Sequence, residues 1–234
     1  MTLIDAVYIN SFGGKTILEL ILGKLINSKT SYHIIFDSRL ESKYLDILNN
    51  KDYTIIFSNH KNRKNFYLKN INRFSSILCL SNIPPPIHTL VKTSVFFHNS
   101  LLLNPLNHQI SFKNRLINFL KFSYVKYYNQ NDYNWVVQTR YIDKLLQTHL
   151  KINPKNIFVY PIIKEESELF NSKKSTNNFV YVSSGVSHKN HIRLLNAFIV
   201  AANKTIKGMK LHLTLNKEEL FKKKYPNNLK VQFH

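Results

Sequence analysis

The sequence predicts an α/β fold in which parallel strands alternate with helices. Short apolar runs typical of buried strands recur along the chain, and segments with apolar residues at helical spacing lie between them. In addition, 44% of the 234 residues are hydrophobic and 13% are aromatic, which is enough for a folded core. Such alternation favours a parallel sheet with right-handed helical crossovers, in which ligands bind beyond the carboxyl ends of the strands.

The first 163 residues are expected to form a Rossmann-like domain. Its predicted strands are residues 3–10, 32–36, 53–57, 77–80, 94–97 and 135–139, with one more between residues 151 and 161. Its predicted helices are residues 16–26, 40–48 and 141–150. Pro84, Pro85 and Pro86 must lie in a loop, because consecutive prolines supply no backbone donors.

A polar linker and a second α/β segment follow this domain. Strands are predicted at residues 179–182, 209–215 and 229–233, with one helix starting near Ile192 and another at residues 217–224. The predicted organisation is a domain at 1–163, a linker at 164–178 and the start of a second domain at 179–234. The last part holds fewer residues than a complete second Rossmann-like domain needs, so we expect an incomplete one.

Gly13 and Gly14 follow the first predicted strand, in a turn that precedes the first predicted helix. Because glycine has no side chain, such a pair lets a ligand approach the backbone closely. The pair is not a GxGxxG fingerprint, and it lacks the ending and spacing of a Walker A loop. A tight turn required by chain geometry alone explains it equally well, so both interpretations stay open.

A second candidate site lies between the strand at 179–182 and the following helix. Ser184 and Gly185 form a small-residue turn, and Lys189 and Asn190 belong to a basic cluster at the helix start. Free backbone N–H groups and the positive end of a helix dipole would converge there beside a lysine, which suits a phosphate or diphosphate. The alternative is an ordinary strand-to-helix loop with a solvated lysine, because one short glycine loop is a weak signal.

His98 ends the apolar run at residues 94–97, so it is expected at the ligand-facing rim of the sheet. A histidine there can hydrogen-bond a sugar hydroxyl or exchange a proton near neutral pH, so His98 is the predicted catalytic residue. The alternative is a histidine that caps the strand and bonds a neighbouring carbonyl group.

Residues 112–128 combine four basic residues and several aromatic ones with no acidic residue. The whole chain is also basic, with 33 Lys and Arg against 13 Asp and Glu and a net charge of +20. This composition fits a helix on an anionic membrane surface, and interleaved basic and aromatic residues can also bind single-stranded nucleic acid. The plain alternative for residues 112–128 is a packed helix with a solvated basic face. The plain alternative for the net charge is the lysine-rich residue usage of an AT-rich genome.

Composition excludes several other classes of protein. Cys79 is the single cysteine, so no disulfide can form within the chain, which fits a reducing compartment. No apolar run reaches the length of a transmembrane helix. No group of His, Cys, Asp or Glu has the spacing of zinc ligands, and no metal site is predicted.

Two blocks of the sequence, at about 134–161 and 179–233, resemble glycosyltransferases of the GT-B type, family 4. The residues that carry the resemblance are 181–185, 188–191, 194–198 and the strand, helix and proline pattern of 135–161. The resemblance implies that Lys189 contacts a donor diphosphate, that Gly13 and Gly14 lie across an interdomain cleft from it, and that His98 lies near the reacting sugar. Ser183 and Ser184 replace a Gly-Arg pair of many members, which leaves more of the cationic role to Lys189.

The resemblance also implies an activity. Members transfer a sugar from a nucleotide-diphosphate sugar to an acceptor, with retention and without a metal or other cofactor. The expected acceptor is a lipid-linked saccharide at the cytoplasmic face of an anionic membrane, in O-antigen, lipopolysaccharide or capsule assembly, with no nucleic acid partner. We expect weak or absent activity if the chain is truncated within its second domain. The competing hypothesis is a non-enzymatic basic α/β module that binds nucleic acid or anionic membrane.

Overall fold

The computed structural model describes residues 1–10, 12–26, 28, 30–40, 44, 53–103, 112–161, 177–183, 189–204, 209–215 and 232–233. The chain divides into two compact units, Met1–Glu165 and Glu166–His234.

The described strands of the first unit form a seven-stranded parallel sheet. They are β1 (Thr2–Ala6), β2 (Tyr32–Asp37), β3 (Tyr53–Ile56), β4 (Ser76–Cys79), β5 (Lys92–Phe97), β6 (Asn134–Val137) and β7 (Ile157–Val159). Their order is β3-β2-β1-β4-β5-β6-β7. The chain runs outward from β1 to β3 and then crosses back to β4, so the strand order reverses between β1 and β4. The predicted α/β fold with a parallel, Rossmann-like sheet is confirmed.

Apolar side chains cover both faces of this sheet. Leu3 of β1 belongs to one buried cluster together with Val95 and Trp135. Ile4, the next residue, belongs to a second cluster together with Leu18. Successive side chains of a strand point to opposite faces, so two apolar neighbours are expected where both faces of a parallel sheet are buried.

The α-helices of the first unit whose bounds lie in its described residues are α1 (Phe12–Ile26), α2 (His60–Asn70), α3 (Phe112–Tyr128) and α4 (Arg140–Leu145), which continues into a π-helical turn at Leu146–Leu150. Helix α1 begins at Phe12 rather than Thr16, so Gly13 and Gly14 lie in its first turn and not in a preceding turn. The helix expected at 40–48 lies, apart from Leu40 and Tyr44, outside the described residues.

Helix α2 is absent from the sequence-based prediction. Its sequence is mostly polar, and its buried residues are Arg63 and Tyr67, one helical turn apart. Asn59 caps the helix by accepting a hydrogen bond from the backbone N–H of Asn62 over 2.8 Å. Because the helix has no apolar stripe, hydrophobic periodicity gave no signal for it.

The second unit contains a smaller parallel sheet. Its described strands are β8 (Asn178–Tyr181), β9 (Lys210–Leu213) and β10 (Gln232–Phe233), in the order β10-β9-β8. Helix α5 (His191–Lys204) packs Leu195 against Leu211, Leu213 and Leu215. The helix expected at 217–224 lies outside the described residues. In the described part of the chain, no helix is both long enough and apolar enough to cross a bilayer.

Candidate functional site

An open cavity of about 750 Å³ lies at the carboxyl edge of the first sheet. The segments after β1, β4 and β5 form its floor, and residues after β2 and β3, the start of α1 and one side of α3 form its walls. The cavity therefore lies where the strand order reverses between β1 and β4, which is the usual ligand position in open α/β sheets. Its lining residues include Tyr8, Asn10, Gly14, Arg39, Ser58, His60, Ser81, Asn82, His98, Asn99, Leu120, Lys121 and Tyr124.

Asn82 connects the ends of β4 and β5 at the floor of the cavity. Its Oδ1 accepts hydrogen bonds from the backbone N–H groups of His98 over 2.7 Å and of Asn99 over 3.0 Å. Its backbone is left-handed, with a φ of 64°. Asparagine tolerates this conformation better than most residues, so the turn places the amide group against β5.

The side chain of Asn82 also determines the tautomer of His98. Since Oδ1 already accepts two hydrogen bonds, the nitrogen 3.3 Å from His98 Nε2 is Nδ2, which can only donate. His98 Nε2 is therefore an acceptor, and the ring proton is on Nδ1. Burial lowers the pKa of His98, which further favours this neutral form.

Two polar atoms of the lining residues lack a hydrogen-bond partner within the described part of the chain. They are His98 Nδ1 and Ser81 Oγ, and both are buried. Unpaired buried polar groups are rare in native proteins and often mark a functional position. The structure thus places His98 at the rim of the sheet, as predicted, with a free donor beside the cavity.

A buried carboxylate, Asp37, fixes another part of the cavity wall. Its Oδ2 accepts the backbone N–H of Tyr8 over 3.0 Å, and its two oxygens bind Nε and Nη2 of Arg39 at 2.9 Å and 2.7 Å. Tyr8 has a left-handed backbone with a φ of 76°, which is unfavourable for an aromatic residue. Burial alone would raise the pKa of Asp37, but the hydrogen bonds from Arg39 and from the Tyr8 N–H more than offset this and lower it.

Arg63 of α2 lies fully buried beneath the cavity. Its Nε donates to Asp5 Oδ2 over 2.8 Å, its Nη2 donates to the carbonyl oxygen of Pro84 over 2.9 Å, and its Nη1 donates to the Tyr124 hydroxyl over 3.1 Å. One guanidinium thus connects β1, the proline loop after β4 and helix α3. Arg63 was not among the residues predicted from the sequence, although an aspartate inside the apolar first strand is a signal for a buried cationic partner.

The cavity is neutral to basic. Its charged side chains are those of Arg39 and Lys121, and none of the described lining residues carries a carboxylate. His60 also lines it, and burial together with the charge of Lys64 lowers the pKa of this histidine. The remaining polar groups are amides, hydroxyls and imidazoles, which suit hydroxyl groups or an anion.

Of the predicted first-unit residues, Gly14 and His98 line the same cavity. Gly13 is exposed in the first turn of α1 and is not among the lining residues. A Cβ atom on Gly13 would meet nothing within 4 Å, whereas one on Gly14 would lie 3.3 Å from Ile9 Cγ2. The chain therefore requires a small residue at position 14 more than at position 13.

Two predicted residues of the second unit lie at the start of α5. Lys189 is exposed, and its carbonyl oxygen accepts a hydrogen bond from the Tyr181 hydroxyl over 2.8 Å. Asn190 has a left-handed backbone with a φ of 53°, and its carbonyl oxygen accepts the N–H of Leu194 over 3.0 Å, which starts the helix. Ser184 and Gly185 lie outside the described residues. Strand, basic residue and helix thus follow one another as predicted, and the phosphate-binding role stays a prediction.

The fold is of the α/β, GT-B-like class. Neither a scan against known protein families nor a search of curated proteins finds a match. Among solved structures, the chain is similar to the apo form of the lipopolysaccharide outer core galactosyltransferase WaaB, with a TM-score of 0.57 and 13% identity. The match covers 94% of this chain and 62% of that chain, so this chain spans less than two thirds of its structural neighbour. At this identity, the likeness establishes the fold alone.

Proposed function

We propose that the chain is a glycosyltransferase that acts in the assembly of lipopolysaccharide or a related cell-surface polysaccharide. The cavity at the reversal of the strand order carries this proposal, because its neutral donors and acceptors suit the hydroxyl groups of a saccharide. The fold shared with a lipopolysaccharide galactosyltransferase supports the choice of reaction. A nucleotide-diphosphate sugar is the donor, and a saccharide, expected to be lipid-linked, is the acceptor.

The cavity of the first unit is proposed to hold the acceptor. His98 presents a proton on Nδ1, Ser81 supplies an unpaired hydroxyl, and Asn82 keeps the His98 ring in its tautomer. A buried donor with no partner in the free protein gains the full free energy of a hydrogen bond when a ligand oxygen binds to it. His98 and Ser81 are therefore the proposed specificity contacts. His98 in this tautomer donates a hydrogen bond rather than removing a proton.

The start of α5 is proposed to bind the donor diphosphate. Lys189 is an exposed cation beside backbone N–H groups of the first helical turn, which are attractive to phosphate. Ser184, Gly185 and Asn190 complete this proposed site. In the proposed reaction the leaving diphosphate is stabilised by Lys189 and backbone N–H groups without a metal, and the anomeric configuration is retained.

Calorimetric titration of the full chain with UDP-galactose, UDP-glucose and GDP-mannose tests the donor site. We expect saturable binding of at least one of these sugars, and a loss of about tenfold or more in Lys189→Ala, because a charge-assisted contact to phosphate is removed. Lys210→Ala, which removes an exposed lysine of β9, is the matched control and should bind normally.

Two outcomes would contradict parts of this proposal. If the Lys189 and Lys210 variants lose the same affinity for nucleotide sugars, Lys189 is not part of the donor site. If none of the three sugars binds, while oligonucleotides bind with a steep salt dependence, the chain is a basic binding module instead. Where sugar transfer is detected, proton NMR of the product reports retention or inversion, and persistence of transfer in EDTA tests independence from metal.

A further inference from the structure

We propose that the solvent-facing side of α3 binds an anionic membrane surface. This outer α3 face consists of Leu116, Ile117, Phe119, Leu120, Lys121, Lys126 and Tyr127. Leu116 is 52% exposed, Phe119 50%, Leu120 60% and Tyr127 68%. Several large apolar side chains exposed together on one helix mark an interaction site rather than ordinary surface scatter.

Three other side chains of α3 already pack against the first unit. Val125 is 1% exposed within the core, and Phe122 packs against the same cluster. The Tyr124 hydroxyl accepts a hydrogen bond from buried Arg63. The core therefore does not cover the apolar side chains of the outer α3 face. A second apolar environment is needed to bury them.

Charge identifies the partner as anionic. Helix α3 contains four basic residues and no acidic one, and Lys121 and Lys126 are exposed on the outer α3 face itself. The start of α2 lies beside α3, since the rings of His60 and Tyr124 are 5.6 Å apart, and it adds the exposed residues Lys61 and Lys64. Apolar side chains bordered by lysines are the pattern of helices that lie in the headgroup region of anionic bilayers.

Two other occupants fit this surface less well. A second copy of the chain would place lysines against lysines, in a protein with a net charge of +20. A single-stranded nucleic acid would stack bases on Phe119 and Tyr127, but it would leave the aliphatic side chains of Leu116, Ile117 and Leu120 exposed to water. A lipid surface uses aliphatic side chains and lysines together.

The same helix borders the cavity. Leu120, Lys121 and Tyr124 line it, so a bilayer on the outer α3 face would bring the cavity close to lipid headgroups. This position would deliver a lipid-linked saccharide directly, a consequence that rests on the proposed function. Binding to the bilayer itself rests only on the exposed residues and charges of α3 and of the start of α2.

Co-sedimentation of the full chain with vesicles tests the proposal. The vesicles contain phosphatidylcholine alone or phosphatidylcholine mixed with phosphatidylglycerol. We expect binding to the mixed vesicles and little to the neutral ones, with an affinity that falls as salt is raised. The double variant Leu116→Asn/Phe119→Asn should bind about tenfold more weakly, because two apolar side chains no longer enter the bilayer. Lys126→Glu should lose about tenfold through charge reversal.

The matched controls are Phe158→Asn, which changes a 50% exposed phenylalanine of β7, and Lys155→Glu, which reverses an exposed charge elsewhere. Both should bind vesicles like the unmodified chain, and far-ultraviolet circular dichroism should show that every variant is folded. Equal losses in variants and controls would overturn the proposal.

Absence of binding to the mixed vesicles would also overturn it. In that case, a dimer that Leu116→Asn/Phe119→Asn dissociates would assign the face to a second copy, and oligonucleotide binding lost in the same variant would assign it to nucleic acid. Vesicle binding does not involve donor sugars, so its failure is distinct from a failure of the nucleotide-sugar titration.

Discussion

The guanidinium of Arg63 and the carboxylate of Asp5 form a fully buried ion pair, with 2.8 Å between Nε and Oδ2. Tyr67, one helical turn after Arg63, donates its hydroxyl to the same carboxylate oxygen over 2.7 Å. Burial alone would lower the pKa of Arg63, but the charge of Asp5 more than offsets this and raises it well above its usual value. Helix α2 is thus held to β1 by two buried polar contacts.

Removing one member of this pair should destabilise the first unit strongly. Asp5→Asn or Arg63→Met leaves an uncompensated buried group, and we expect each to cost about 3–5 kcal/mol in the free energy of unfolding. The double variant should cost less than the sum of the two, because neither charge is then left alone. Urea unfolding measures these values, and Lys64→Met, at an exposed position of the same helix, is the control. Strict additivity would show that the two residues do not act as a pair.

The two glycines at the start of α1 should respond differently to alanine. Gly13→Ala should raise the free energy of unfolding by up to about 1 kcal/mol, because alanine favours a helix and its Cβ meets open space. Gly14→Ala should gain less or lose, since Ile9 must move to accept the Cβ. Thermal unfolding of both variants checks this order. If Gly13→Ala also weakens ligand binding while stabilising the fold, the glycine is kept for close approach of the ligand.

His98 should make the protein less stable at acidic pH. Burial lowers its folded-state pKa below the ordinary value of 6.5, so between these two pKa values the unfolded chain binds more protons than the native one. The contribution of neutral His98 to the free energy of unfolding is complete above pH 6.5 and is lost as the pH falls through the folded-state pKa. The free energy of unfolding should change by at most about 1.4 kcal/mol per pH unit in this range.

His98→Asn should flatten this part of the stability profile, as measured by urea unfolding at a series of pH values. Burial and the charge of Lys64 also lower the pKa of His60. The variant His60→Asn therefore measures how much of the pH dependence of stability comes from His60. An unchanged slope in His98→Asn would mean that His98 takes up a proton in the native protein.

Arg39 should protect the protein against acid through Asp37. The hydrogen bonds from Arg39 and Tyr8 lower the folded-state pKa of Asp37 below 3.8, so its contribution is present above that pH and is lost as the pH falls further. In Arg39→Gln the pKa of Asp37 should rise, and acid unfolding should begin at a higher pH. Because the Arg39 side chain is 53% exposed, the cost at neutral pH should stay below about 1 kcal/mol. Arg140→Gln, at an exposed position of α4, should leave acid unfolding unchanged.

Much of the strand arrangement was predictable because apolar runs report burial directly. β2, β4, β5 and β6 lie within a few residues of their predicted positions, and His98 follows β5 as expected. Helix α2 was not predictable in this way, since Arg63 and Tyr67 are polar and their burial depends on Asp5, which is distant in sequence. The start of α1 was also misplaced, because a glycine pair is a stronger signal for a turn than for a first helical turn.

The alternation of strands and helices was predictable from the order of the residues alone, and with it the parallel sheet and the edge at which a ligand would bind. These features follow from local hydrophobic periodicity, which neighbouring residues set among themselves. The three-dimensional fold was needed to show that Arg63 pairs with Asp5 across 58 positions and that Asn82 fixes the tautomer of His98 across 16. Hydrogen bonds between buried polar groups depend on which strand ends the fold brings together, and no local pattern encodes that choice.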